Sequence, residues 1–188
     1  MEVLKVPTVT ATGGSVCSGG TITLNANATL TGGSIASYAW TGPNGFTSTS
    51  QNPNIPSATL NAGGTYTVIV TANTCTAATT VVGVINPLPS PNIVTNSPIC
   101  SGQALNLTGS GGVSYSWSGP GGFTSMNQNP TIPSTSVGNS GNYVLTVTDA
   151  NGCVNSTNSN VVINPTPNAS AAGGTACENQ NVSLSANG

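Results

Sequence analysis

Charge is what this sequence lacks. One residue is basic, three are acidic and none is histidine, which leaves a formal net charge of −2 over 188 residues. Charged residues make up 2% of the chain, against roughly a quarter in a typical domain. They are Glu2, Lys5, Asp149 and Glu178. Each absence closes a class of function. General acid–base catalysis needs titratable groups near a reacting bond, and Asp149 is the only acid between Glu2 and Glu178. A carboxylate pair for glycoside hydrolysis is therefore out of reach, and a serine triad has no histidine base. No zinc ligand set exists at short spacing. Nucleic acid is excluded because phosphates are neutralised by Lys and Arg. No catalytic residue, metal site or cofactor site is expected. No run of about 18 apolar residues occurs, so no membrane insertion is expected. Met1–Pro7 has no apolar core of the signal-peptide kind.

Thr, Ser, Asn and Gly fill the space that charge vacates, with 24 glycines and 13 prolines. The sequence repeats itself. Tyr38-Ala39-Trp40-Thr41-Gly42-Pro43-Asn44-Gly45-Phe46-Thr47-Ser48 returns as Tyr115-Ser116-Trp117-Ser118-Gly119-Pro120-Gly121-Gly122-Phe123-Thr124-Ser125. Gln51-Asn52-Pro53-Asn54-Ile55-Pro56 returns as Gln128-Asn129-Pro130-Thr131-Ile132-Pro133, and both copies close on Val-Ile-Asn-Pro, at Val84–Pro87 and Val162–Pro165. A third copy starts at Pro167 and ends before its tryptophan. Self-similarity at such a period marks an array of modules. The expected organisation is residues 1–6 as the tail of a preceding module or an added start, 7–87 as module 1, 88–165 as module 2 and 166–188 as the start of module 3. The chain reads as a piece of a longer array, with its export signal upstream.

The five cysteines divide by repeat. Cys17 and Cys75 fall early and late in the first, Cys100 and Cys153 early and late in the second, and Cys177 is an early cysteine whose late partner is missing. Cys17, Cys75, Cys100 and Cys153 are expected in disulfides, with bonds inside each repeat as the simplest arrangement. Pairing across neighbouring repeats stays open, because cysteine spacing alone does not fix connectivity. Cys177 is expected to be unpaired. Disulfides imply an oxidising compartment, so an extracellular or cell-surface location is expected. A bond closing a loop of more than about 50 residues is worth roughly 4 kcal/mol, a large share of the stability of a small domain.

Period-2 alternation dominates, as in Thr21–Ala26, Tyr66–Thr71 and Tyr143–Thr148, and no segment has helical period. Paired turn residues such as Gly13-Gly14, Gly63-Gly64 and Asn151-Gly152 punctuate the runs. Short alternating strands separated by turns read as an all-β antiparallel sandwich. Gly63-Gly64-Thr65-Tyr66 and Ser140-Gly141-Asn142-Tyr143 are like the tyrosine corner of an immunoglobulin-type sandwich. Tyr66 and Tyr143 are therefore expected in the core. Trp40 and Trp117, one per repeat, are expected there too, each covering its module's disulfide. The competing role is an exposed sugar-stacking platform. Phe46 and Phe123 read as lids at one end of each sandwich. Thr148-Asp149-Ala150-Asn151-Gly152 contains too few carboxylates for a calcium loop and reads as a β-turn.

The Trp-Thr-Gly-Pro-Asn-Gly-Phe-Thr-Ser run, the Gln-Asn-Pro run and Ala-Gly-Gly-Thr-Tyr-Thr-Val together resemble immunoglobulin-like and PKD-like tandem repeats of large secreted surface proteins of Bacteroidota, including gliding-motility adhesins. The resemblance implies export and a role in stalks, adhesins or filaments. The low charge favours association, and Pro is the only edge-strand guard available in quantity. Self-association or contact with neighbouring repeats is expected, and surface glycans are a candidate ligand.

Overall fold

Alternating Thr, Val and Asn positions become strands throughout a computed structural model of the chain, which describes residues 4–168, 170–174, 178, 181 and 185–187. Two compact units form. One comprises Met1–Pro89 with Thr148–Val154, the other Ser90–Val147 with Asn155–Gly188.

The first unit contains β1 (Thr8–Thr12), β2 (Ser15–Cys17), β3 (Ile22–Thr23), β4 (Asn25–Thr29), β5 (Ser37–Thr41), β6 (Thr47–Ser48), β7 (Asn54–Ile55), β8 (Gly64–Ala72) and β9 (Cys75–Asn86). β1 pairs antiparallel with β4, and β3 with β7. The opposite sheet runs in the order β2-β9-β8-β5-β6. The first stretch of chain thus serves both sheets: β1 joins one, and after Gly13-Gly14 β2 joins the other, parallel to β9. β8 shows why these residues make a strand. Tyr66, Val68, Val70 and Ala72 alternate inward and are fully buried, and their stiff or flat side chains suit a pleated surface packed on one face. Tyr66, Val68 and Val70 pack in one core with Ile22, Leu24, Ala26, Trp40 and Ala58.

The second unit contains β10 (Asn92–Thr95), β11 (Ile99–Cys100), β12 (Leu105–Ser110), β13 (Ser114–Gly119), β14 (Phe123–Ser125), β15 (Thr131–Ile132), β16 (Gly141–Thr148), β17 (Val154–Val161) and β18 (Ile163–Asn164). Its sheets run β10-β12-β15 and β14-β13-β16-β17, and β11 pairs in parallel with β18. The core is Ile99, Leu105, Leu107, Trp117, Tyr143, Leu145, Val147, Val161 and Ile163. Farther along, β19 (Ser170–Ala172) and β20 (Ser185–Asn187) pair antiparallel with each other. The fold is an all-β, immunoglobulin-like sandwich.

Candidate functional site

The repeated motifs resolve into one packing device, built once in each unit. The Tyr66 hydroxyl donates to the Ala62 carbonyl at 2.6 Å, and Tyr143 to that of Asn139 at 3.0 Å. Each bond turns the chain into β8 or β16. Burial disfavours the charged phenolate, and the pKa of both tyrosines lies above the ordinary 10.0. Gly42 and Gly119 lie against those rings, and a Cβ at either would overlap the aromatic carbons. The repeated Gly-Pro is therefore a clearance requirement. Phe46 meets Tyr66 edge-on at 5.5 Å between ring centroids, and Phe123 lies 5.6 Å from Tyr143.

Trp40 and Trp117 are each 1% exposed. Their indole N–H groups donate to the carbonyls of Gln51 (3.3 Å) and Asn127 (3.0 Å). The Gln51 amide then donates to the Ala26 carbonyl, and the Gln128 amide to that of Gly109. This explains the Gln of the repeated Gln-Asn-Pro. It ties the loop under the tryptophan to a strand of the opposite sheet, a role that repetition alone did not reveal. Buried indoles present no stacking face to a sugar.

The expected disulfides need correction. The bond joins Cys17 to Cys153, with Cα atoms 5.5 Å apart and 136 residues of separation. Cys75 and Cys100 are free thiols, the first half-buried and the second exposed. Neither Trp40 nor Trp117 has a disulfide beneath it, and each packs on aliphatic side chains instead. Strand length is the reason. Cys17 stands opposite Asn86, the last residue of β9, while Cys75 is the first. Twelve residues of β9 at about 3.3 Å each place the two ends roughly 35 Å apart. A disulfide needs Cα atoms within about 7 Å, so a bond inside the first repeat is excluded. Cys177 lies outside the described residues.

Asp149 fixes the turn that carries Cys153. Its Oδ1 accepts the N–H groups of Asn151 (2.8 Å) and Cys153 (2.9 Å), and its own N–H donates to the Cys153 carbonyl at 2.9 Å. The acid is a turn former, and it holds a half-cystine whose side chain is fully buried. The segment Thr148–Val154 belongs to the first unit, with Cys17. Among the described residues, no group of three or more His, Cys, Asp or Glu side chains could hold a metal ion, and no helix is long and apolar enough to cross a membrane.

Residues 8–82 match the family model of the PKD domain. No curated protein matches the chain. Among solved structures, the chain is similar to the titin domains Z1Z2 in complex with telethonin, with 15% identity over 88% of this chain and 100% of that one, and a TM-score of 0.42. The I-band fragment I67–I69 from titin is 11% identical over 99% of this chain and 77% of that one, with a TM-score of 0.48. The extracellular domains 3–5 of Drosophila OTK are 13% identical over 88% and 64%, also with a TM-score of 0.48. The family match thus falls within the first of the two units.

Proposed function

We propose that this chain is a structural repeat of an extracellular or surface-displayed stalk, adhesin or filament, acting as a disulfide-clamped spacer. The observation that carries the reading is the Cys17–Cys153 bond, which begins in the first sequence repeat and ends in the second. A covalent clamp running from one repeat into the next limits how far the chain lengthens under load. The Pro-rich junctions Asn86-Pro87-Leu88-Pro89 and Asn164-Pro165-Thr166-Pro167 restrict backbone freedom between repeats. The near absence of charge leaves little electrostatic repulsion between copies, which supports self-association. The resemblance to surface proteins of Bacteroidota belongs to the same reading. A sugar-binding role through the tryptophans has no support, since both are buried.

Single-molecule stretching of the oxidised and reduced chain tests the proposal. The oxidised chain should lengthen only by segments outside Cys17–Cys153, and the reduced chain by its full length in discrete steps. Equal lengthening in both states, or smooth extension without steps, overturns it.

A further inference from the structure

The bond that forms is staggered with respect to the repeats. It takes the early cysteine of the first and the late cysteine of the second. Cys100, the early cysteine of the second, stands in the same local frame as Cys17. Cys17 is in parallel register with Asn86, and Cys100 with Asn164. Ser18 N–H donates to Asn86 O at 2.8 Å, and Ser101 N–H to Asn164 O at 2.8 Å. Gly19 N–H reaches Ala58 O at 2.8 Å, and Gly102 N–H reaches Thr135 O at 2.7 Å. The backbone that presents one thiol to a bond is reproduced around the other. Cys75, the late cysteine of the first repeat, opens β9 just past a tight turn, as Cys153 stands just before β17. Each repeat thus carries one thiol position at either end of a long strand, too far apart to bond to each other.

We infer that Cys75 and Cys100 are the open halves of a staggered disulfide series, in which the early cysteine of each repeat bonds the late cysteine of the repeat that follows. The partner of Cys100 is a late cysteine on a following repeat, and that of Cys75 an early cysteine on a preceding one. Either the same array or a second copy joined head to tail supplies it, and in the second case Cys100 of one copy bonds Cys75 of the next. Each bond forms by exchange with a disulfide oxidant. Two thiols lose two protons and two electrons, one S–S bond forms, and the oxidant leaves as two thiols. The inference rests on reading the chain as part of an array.

The test uses the full chain with Cys177→Ser, refolded in reduced and oxidised glutathione, with bonds mapped by peptide mass spectrometry. In one arm, Cys75→Ser and Cys100→Ser chains are kept apart or mixed. In the other, residues 88–165 are duplicated after Pro165. In the extended chain Cys100 should bond the added copy of Cys153, with Cys17–Cys153 retained. A Cys100–Cys75 dimer in the mixture and in neither variant alone shows that a second copy also supplies the partner. No dimer, with the bond present in the extended chain, assigns the partner to the tandem array. Cys100 left alkylatable in the extended chain, or bonded to Cys75 or to Cys153 of its own repeat, overturns the inference, as do dimers of either variant alone. Stretching of the Cys17–Cys153 clamp involves neither Cys75 nor Cys100, so the two readings fail separately.

Discussion

Removing the Cys17–Cys153 bond should cost the first unit most of its stability. The separation is 136 residues, and the chain-entropy relation gives about 5 kcal/mol for a loop of that length at 25 °C. If the first unit melts while the second stays folded, the flexible part of the loop is about half as long. The dependence is logarithmic, so the figure falls by less than about 1 kcal/mol. At about 4–8 °C per kcal/mol for a domain of this size, the loss is on the order of 20 °C in Tm. Differential scanning calorimetry on the double variant Cys17→Ser/Cys153→Ser, against the oxidised parent, reads this directly. Cys75→Ser is the control, since its thiol is free, and its Tm should stay within about 2 °C of the parent. A fall of only a few degrees in the double variant would refute the loop argument. An equal fall in Cys75→Ser would refute the pairing itself.

Two further outcomes follow from the aromatic core. Gly42→Ala and Gly119→Ala each push a methyl group into a buried tyrosine ring and should destabilise by about 1–3 kcal/mol in urea titrations, whereas Gly14→Ala, whose Cβ would meet nothing closer than 3.9 Å, should cost less. Tyr66 and Tyr143 have pKa values raised by burial, so above about pH 10 the unfolded chain holds fewer protons than the folded one and stability falls as pH rises; Tm measured from pH 8 to 11.5 should drop, and Tyr66→Phe with Tyr143→Phe should flatten that drop.

The strand pattern was legible because Tyr66, Val68 and Val70 announce their inward face by simple alternation. The tyrosine corner was legible because in both repeats a tyrosine stands at the start of a late alternating strand, where its hydroxyl can bond back to the chain. The burial of Trp40 and Trp117 followed from scarcity: with two Phe, four Tyr and two Trp in the chain, a sandwich core has few large side chains to spare. The cysteine connectivity was not legible. Early and late positions in a repeat say nothing about which end of a strand each occupies. That is set by the parallel docking of β2 on the far end of β9, a long-range pairing with no local signal. The work done by Gln51 and Gln128 was hidden for a related reason. Their partners, Ala26 and Gly109, lie in strands far away in sequence.

The docking of β2 on β9 also sets how the first unit meets force. The two strands lie close to the points where the chain enters and leaves that unit, and they run in the same direction, Ser15 beside Val84 and Cys17 beside Asn86. Once the Cys17–Cys153 bond is reduced, tension applied at the two ends drags β2 one way and β9 the other along their common axis. The hydrogen bonds across the seam are therefore loaded in shear and yield together, where an antiparallel hairpin pulled from its open end would unzip one rung at a time. Brittle, all-at-once rupture is the behaviour expected of this seam in the reduced chain; in the oxidised chain the bond carries tension from Cys17 to Cys153, and β9, which lies between them in sequence, is bypassed.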